Sequence, residues 1–202
     1  FPGDEVVADV TVADIEEDAI NCPGRSSVVA DHPWFVAALA VGALALGAGL
    51  AFRAGGPLAF AAALVPLGAS VCYSLPVAPG RRRWKDVFAL NTTLVAGAWA
   101  VTVTAVPLAI AGQSVGPVAI AVCLFFFLRS FISVEVFNVR DIAGDAATGV
   151  DTLPVVLGVG RTRQLLSLFE GCSLALLVPL MTVPGTALTA LFALPVMGYS
   201  LA

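Results

Sequence analysis

The chain is 202 residues long, 59% hydrophobic and only 12% charged, with a mean hydropathy of +0.96 and a formal net charge of −4. Soluble globular domains carry about a quarter of their residues as charges, so that class is excluded, and an acidic balance gives no footprint for nucleic acid. The apolar residues run continuously instead of alternating, which indicates an all-α polytopic transmembrane bundle whose helices satisfy their own backbone groups in lipid.

Residues 1–32 are polar and acidic and are read as a cytoplasmic segment. They carry Asp14-Ile15-Glu16-Glu17-Asp18, after which Asn21, Pro23 and Gly24 break any helix, so the segment is expected to end a helix that starts outside the chain. Six apolar stretches follow: Pro33 to Phe52, Leu58 to Val77, Val87 to Ile110, Val118 to Phe137, Thr162 to Val183 and Thr186 to Ala202. Each is near the roughly 20 residues that cross a bilayer core. Gly55-Gly56-Pro57, Ala111 to Pro117 and Pro184-Gly185 make short turns on one side, which implies antiparallel hairpins. The connections on the other side, Pro76 to Lys85 and Asn138 to Arg163, are longer and are expected to hold the functional groups. Residues 1–202 are read as one transmembrane domain.

Basic residues are placed unevenly. If the spans alternate, Arg25, Arg81, Arg82, Arg83, Lys85, Arg140, Arg161 and Arg163 share one side and Arg53 stands alone on the other. An excess of Lys and Arg marks the cytoplasmic side, so both acidic runs fall on the cytoplasmic face of a cell-membrane protein.

The second acidic run is Asp141-Ile142-Ala143-Gly144-Asp145. Asp14 and Asp18, like Asp141 and Asp145, stand four residues apart, the spacing that stacks two side chains on one helix face. Carboxylates beside a membrane are costly to gather. Pairs of them suit a hard divalent cation, above all Mg²⁺, which shares its shell with phosphate oxygens when few carboxylates hold it. A single pair beside a membrane is more often a solvated helix end than a metal site; two pairs on one face, the second within a longer motif that runs from Asn138 to Gly158, reverse that in favour of the cation.

Other residues have plainer explanations. Cys22, Cys72, Cys123 and Cys172 form no CxxC and meet no paired histidines, which indicates packing and not zinc. Arg129, inside a span, is expected to pair with Glu135 or to touch substrate. Phe125, Phe126, Phe127, Phe131 and Phe137 either pack, face lipid, or line an apolar tunnel and stabilise a cation with their ring faces. His32 is a boundary residue, Arg81 to Arg83 orient the chain, and Gly158-Val159-Gly160 is too short for a nucleotide fingerprint.

Asn138-Val139-Arg140-Asp141-Ile142-Ala143-Gly144-Asp145, followed by Gly149-Val150-Asp151-Thr152-Leu153-Pro154-Val155-Val156-Leu157-Gly158, resembles the second aspartate-rich motif of the UbiA-type intramembrane prenyltransferases and the Thr-Leu-Pro stretch after it. Asp14 to Asp18, with Asn21, Pro23 and Arg25, is similar to the end of the family's first motif, although Val10 and Thr11 stand where the family has Asn-Asp. Tyr73, Ser74, Lys85 and Asn91 resemble a loop that supplies a tyrosine and a basic residue near the diphosphate. The resemblance covers nearly the whole chain and implies about six spans present of nine, the missing helices lying outside it.

What the resemblance implies is Mg²⁺-dependent transfer of a prenyl group from a polyprenyl diphosphate to a lipophilic acceptor in the bilayer. Asp14, Asp18, Asp141 and Asp145 would hold the metal, and Lys85, Arg140, Asn138, Tyr73 and Arg25 would contact the diphosphate. No protein partner is inferred. Two rivals remain: a catalytically inactive relative that only binds isoprenoids, and a cation-coupled transporter, which needs ionisable residues near the bilayer middle.

Overall fold

The computed structural model describes residues 31–74 and 84–181. Asp14, Asp18, Arg25, Arg81 to Arg83 and the sixth apolar stretch lie outside the described residues. Every regular element among those described is helical: α1 Pro33–Ala63, α2 Val65–Ser74, a 3₁₀ turn Trp84–Asp86, α3 Leu90–Ile110, α4 Pro117–Thr148, α5 Leu153–Leu157 and α6 Val159–Met181. Three stretches among them, Trp34–Tyr73, Leu90–Ile110 and Pro117–Thr148, are long and apolar enough to cross a membrane.

The first of these holds two arms. Gly56 leaves the helical region at φ 67° and ψ −159°, a conformation open to glycine at little steric cost, and Pro57 has no N–H to continue the ladder. The rings of Phe52 and Phe60 meet edge-on with centroids 5.9 Å apart, whereas eight residues of unbroken helix rise about 12 Å. The chain therefore folds back at Gly56, as the Gly-Gly-Pro turn predicts.

Several boundaries differ from the sequence reading, α6 starting at Val159 and not Thr162 and the second stretch breaking between Ala63 and Val65, and two further differences bear on the polar end. The third span starts at Leu90 because the 3₁₀ turn and the left-handed Ala89, at φ 57°, occupy the residues before it. More consequential is α4, which does not give way to a loop at Asn138 but runs through Asp141 and Asp145 to Thr148. Hydropathy marks where hydrocarbon ends, not where the helix ends. Nothing between Asn138 and Thr148 forbids helix, and Gly149, at φ 75°, supplies the left-handed stop. At 32 residues α4 is about 48 Å long, well beyond the roughly 30 Å hydrocarbon core.

α3 packs against α1, α2 and α4, and α4 in turn against α3, α5 and α6. Small residues face α3 from both arms of α1: Ala48, Ala51, Ala59 and Ala62 are all buried, and Thr102 Oγ1 of α3 donates to the Ala62 carbonyl at 3.3 Å. Side chains this short let helix backbones approach closely where lipid gives no hydrophobic drive. Between α3, α4, α5 and α6 the core is larger, built on Ala96, Phe131 and Leu153 with Phe127 and Phe169 around them. The ring centroids of Phe131 and Phe169 are 5.2 Å apart.

The polarity of the molecule is inverted relative to a soluble protein. Trp34, Phe35, Leu58 and Val178 are exposed, while Glu135, Thr92, Thr152, Thr162 and Ser173 are among the largest fully buried side chains. A surface of hydrocarbon around a polar interior is stable only with lipid outside. The chain is an integral membrane protein.

Candidate functional site

The polar residues gather at one end of the bundle. Asn138, Asp141 and Asp145 follow one another on α4 at intervals of three and four, which aligns them along one stripe of the helix. Asp145 is buried. Its Oδ2 accepts a hydrogen bond from Thr152 Oγ1 at 3.0 Å, and its backbone carbonyl accepts from Val150 N at 2.9 Å. Thr152 occupies the N-cap position of α5 yet leaves that helix uncapped, its hydroxyl turned to Asp145 instead.

Asp141 is half-buried and faces Arg140. The guanidinium donates from Nε to Oδ1 at 2.9 Å and from Nη2 to Oδ2 at 3.3 Å, and its carbon lies 5.2 Å from the centroid of the Phe137 ring. The forked contact aligns the carboxylate, while the ring steadies the cation. Asp145 stands in the last turn of α4, where the helix dipole is negative and disfavours a carboxylate, and Asp141 stands one turn before it. Arg140 supplies positive charge beside Asp141.

Beneath the aspartates, toward the bundle interior, lies a buried polar network. Thr92 on α3 is hydrogen-bonded through Oγ1 to Glu135 Oε1 on α4. Asn138 Nδ2 donates to the same Oγ1 at 3.3 Å, and Asn91 Oδ1 accepts the Thr92 backbone N–H at 2.6 Å. Glu135 is therefore not the partner of Arg129. Six residues on, it points about 120° around the helix from Arg129 and lies about 9 Å along it, out of reach. Arg129 instead pairs with Glu170 on α6.

Lys85 sits on the 3₁₀ turn, buried, and that turn packs on α2 and α3 at the end that carries Asn91. Tyr73, near the end of α2, lines a cavity of about 360 Å³ with Ser70, Leu94 and Trp99. Sequence reasoning thus named Asn138, Arg140, Asp141 and Asp145, which the structure brings together, and Lys85 and Tyr73, which stand at the same end. It missed Thr92, Thr152 and the role of Glu135. The signal for Thr92 was an Asn-Thr pair opening an otherwise apolar span.

Phe125 and Phe131 are core residues, packed on Leu177 and on Ala96 with Leu153, and Phe137 is the ring under Arg140. A separate apolar groove of about 440 Å³ runs between α3 and α4, lined by Gly97, Ala100, Thr104, Ala119, Cys123 and Phe127 among others. Among the described residues no three His, Cys, Asp or Glu side chains cluster as a closed metal cage. A site completed by substrate oxygens does not need one, and the pair of carboxylates fits Mg²⁺ held jointly with phosphate.

No curated protein and no solved structure matches the chain. The family model of the UbiA prenyltransferase family does, over residues 11–202, a span that takes in the aspartate stripe of α4, the Thr152 that holds Asp145, and the helices around them. With nearly the whole sequence matched and a helical membrane bundle beneath it, the chain belongs to the UbiA prenyltransferase family.

Proposed function

We propose that the protein transfers a prenyl group from a polyprenyl diphosphate to a lipophilic acceptor within the membrane, in a Mg²⁺-dependent reaction whose aspartate-rich motifs face the cytoplasm. The observation that carries this reading is the stripe of Asp141 and Asp145 at the negative end of α4, one carboxylate aligned by Arg140 and the other by Thr152. Two carboxylates held in place on one stripe of a helix offer oxygens to a divalent cation that phosphate oxygens complete.

When bound, Mg²⁺ neutralises the diphosphate and makes it a better leaving group. Asp141 and Asp145, with Asp14 and Asp18 of the first motif, would hold it. Arg140, Lys85 and Arg25 would add charge-assisted hydrogen bonds to the diphosphate oxygens, and Tyr73 a neutral one. The allylic C–O bond then breaks heterolytically, the electron pair leaving with the diphosphate, and an electron-rich acceptor captures the carbocation and releases a proton. The groove between α3 and α4 offers an apolar surface along which a hydrocarbon tail can lie. Transport is disfavoured because Arg129 and Glu170 neutralise each other within the bundle.

The test is pyrophosphate release from geranylgeranyl diphosphate, with and without Mg²⁺, over a panel of lipophilic acceptors. Release is expected only with metal and a suitable acceptor, and Asp141→Ala or Asp145→Ala should abolish it without impairing membrane insertion. Turnover retained in both variants would sink the metal assignment. Tight metal-dependent binding with no release under any acceptor would identify an inactive isoprenoid binder.

A further inference from the structure

The sequence places Asn138 among the diphosphate contacts, but the hydrogen bonds around its side chain give it the opposite polarity. Thr92 has one hydroxyl proton and two acceptors against it: Glu135 Oε1, to which it is hydrogen-bonded, and Asn91 Oδ1 at 3.1 Å. The Asn91 atom is fixed as oxygen because it also accepts the Thr92 backbone N–H. If Glu135 is ionised, Thr92 donates to it; if Glu135 is protonated, it donates to Thr92 and Thr92 donates on to Asn91. In both arrangements the edge of Oγ1 that faces Asn138 is a lone pair, matching the 3.3 Å contact from Nδ2, and Asn138 also hydrogen-bonds the Glu135 carboxylate, which takes the amide's NH₂.

Thr92 is fully buried and Asn138 only half-buried. With its two N–H groups turned to Thr92 and to Glu135, the amide has Oδ1 left for its outer side. A carbonyl oxygen repels phosphate oxygens and attracts a cation. We propose that Asn138 is an oxygen ligand of the divalent cation, in line with Asp141 and Asp145, and that Thr92, held by Glu135 and Asn91, is the positioning residue that fixes its amide. This rests on the proposed function, since it assigns one more ligand to the same cation.

The test reads metal binding, not turnover. Mn²⁺ uptake by the full chain in lipid nanodiscs is followed by electron paramagnetic resonance with the unreactive probe geranylgeranyl thiolodiphosphate present. Asn138→Ala should raise the Mn²⁺ half-saturation about 10-fold or more, and Thr92→Val, which keeps the shape of threonine, should raise it about 10-fold, as loss of an outer-shell partner does. Thr92→Ser, which keeps the hydroxyl, should restore it. Metal-free binding of the probe should be unchanged in Asn138→Ala. If Asn138→Ala weakens that metal-free binding and leaves Mn²⁺ half-saturation alone, Asn138 is a diphosphate donor and the inference falls. Loss of Mn²⁺ in Asp141→Ala but not in Asn138→Ala removes the inference and leaves the proposed function. A wild-type chain that takes up no Mn²⁺ removes both.

Discussion

Thr152 and Arg140 each touch an aspartate, but through different physics. The Thr152 hydroxyl is buried with Asp145 and donates to it at 3.0 Å, so its removal leaves a buried carboxylate oxygen without that donor. Thr152→Val should lower metal affinity about 10-fold, seen as a higher Mg²⁺ requirement for pyrophosphate release with the rate largely recovered at saturating metal. Arg140 is half-exposed, and an exposed pair with Asp141 is worth at most about 1 kcal/mol. Arg140→Ala should therefore leave the melting temperature nearly unchanged while raising KM for the prenyl diphosphate, because the guanidinium is needed by substrate more than by the fold. A fall in thermal stability without a change in KM would make Arg140 a structural residue only.

At the scale of elements, the longest helix and the buried ion pair set the geometry. Arg129 on α4 and Glu170 on α6 pair within the bundle, and breaking a buried pair from one side costs about 3–5 kcal/mol because the remaining charge is stranded. Glu170→Leu alone should lower the melting temperature in detergent sharply. Adding Arg129→Leu should restore much of the loss, and an additive double variant would show that the two residues act independently. The α1 turn is equally specific: a Cβ on Gly55 would stand 2.7 Å from Ala59 Cβ and 2.9 Å from the backbone N of Ile110. Backbone cannot yield as a side chain can. Gly55→Ala should cost about 1–3 kcal/mol by overpacking, measured as a lower unfolding temperature.

For the whole molecule, the sequence made legible what depends on long runs and motifs, and concealed what depends on three-dimensional pairing. The apolar stretches and the Gly-Gly-Pro turn predicted the bundle, and the Asn138 to Asp145 motif located the polar end. The continuation of α4 past Phe137 stayed hidden because hydropathy cannot see a helix in water. Glu170, Thr92 and Thr152 stayed hidden because each meets its partner across 41, 43 or 7 residues of chain. Charge placement is the remaining whole-molecule signal. Lys85, Arg140, Arg161 and Arg163 lie at the end with the aspartates, whereas Arg53 lies by the Gly56 turn, at the end where Gly55 meets Ile110. Under the positive-inside rule this placement predicts a cytoplasmic position for the aspartates, as the proposed function requires. In a background with the native cysteines replaced, Gln113→Cys and Ala147→Cys probe exposed positions beyond opposite ends of the α4 hydrocarbon span. An impermeant maleimide applied to intact cells should label Gln113→Cys at once and Ala147→Cys only after permeabilisation. The reverse pattern would put the carboxylate stripe outside the cell, away from the cytoplasmic supply of prenyl diphosphate on which the proposed reaction depends.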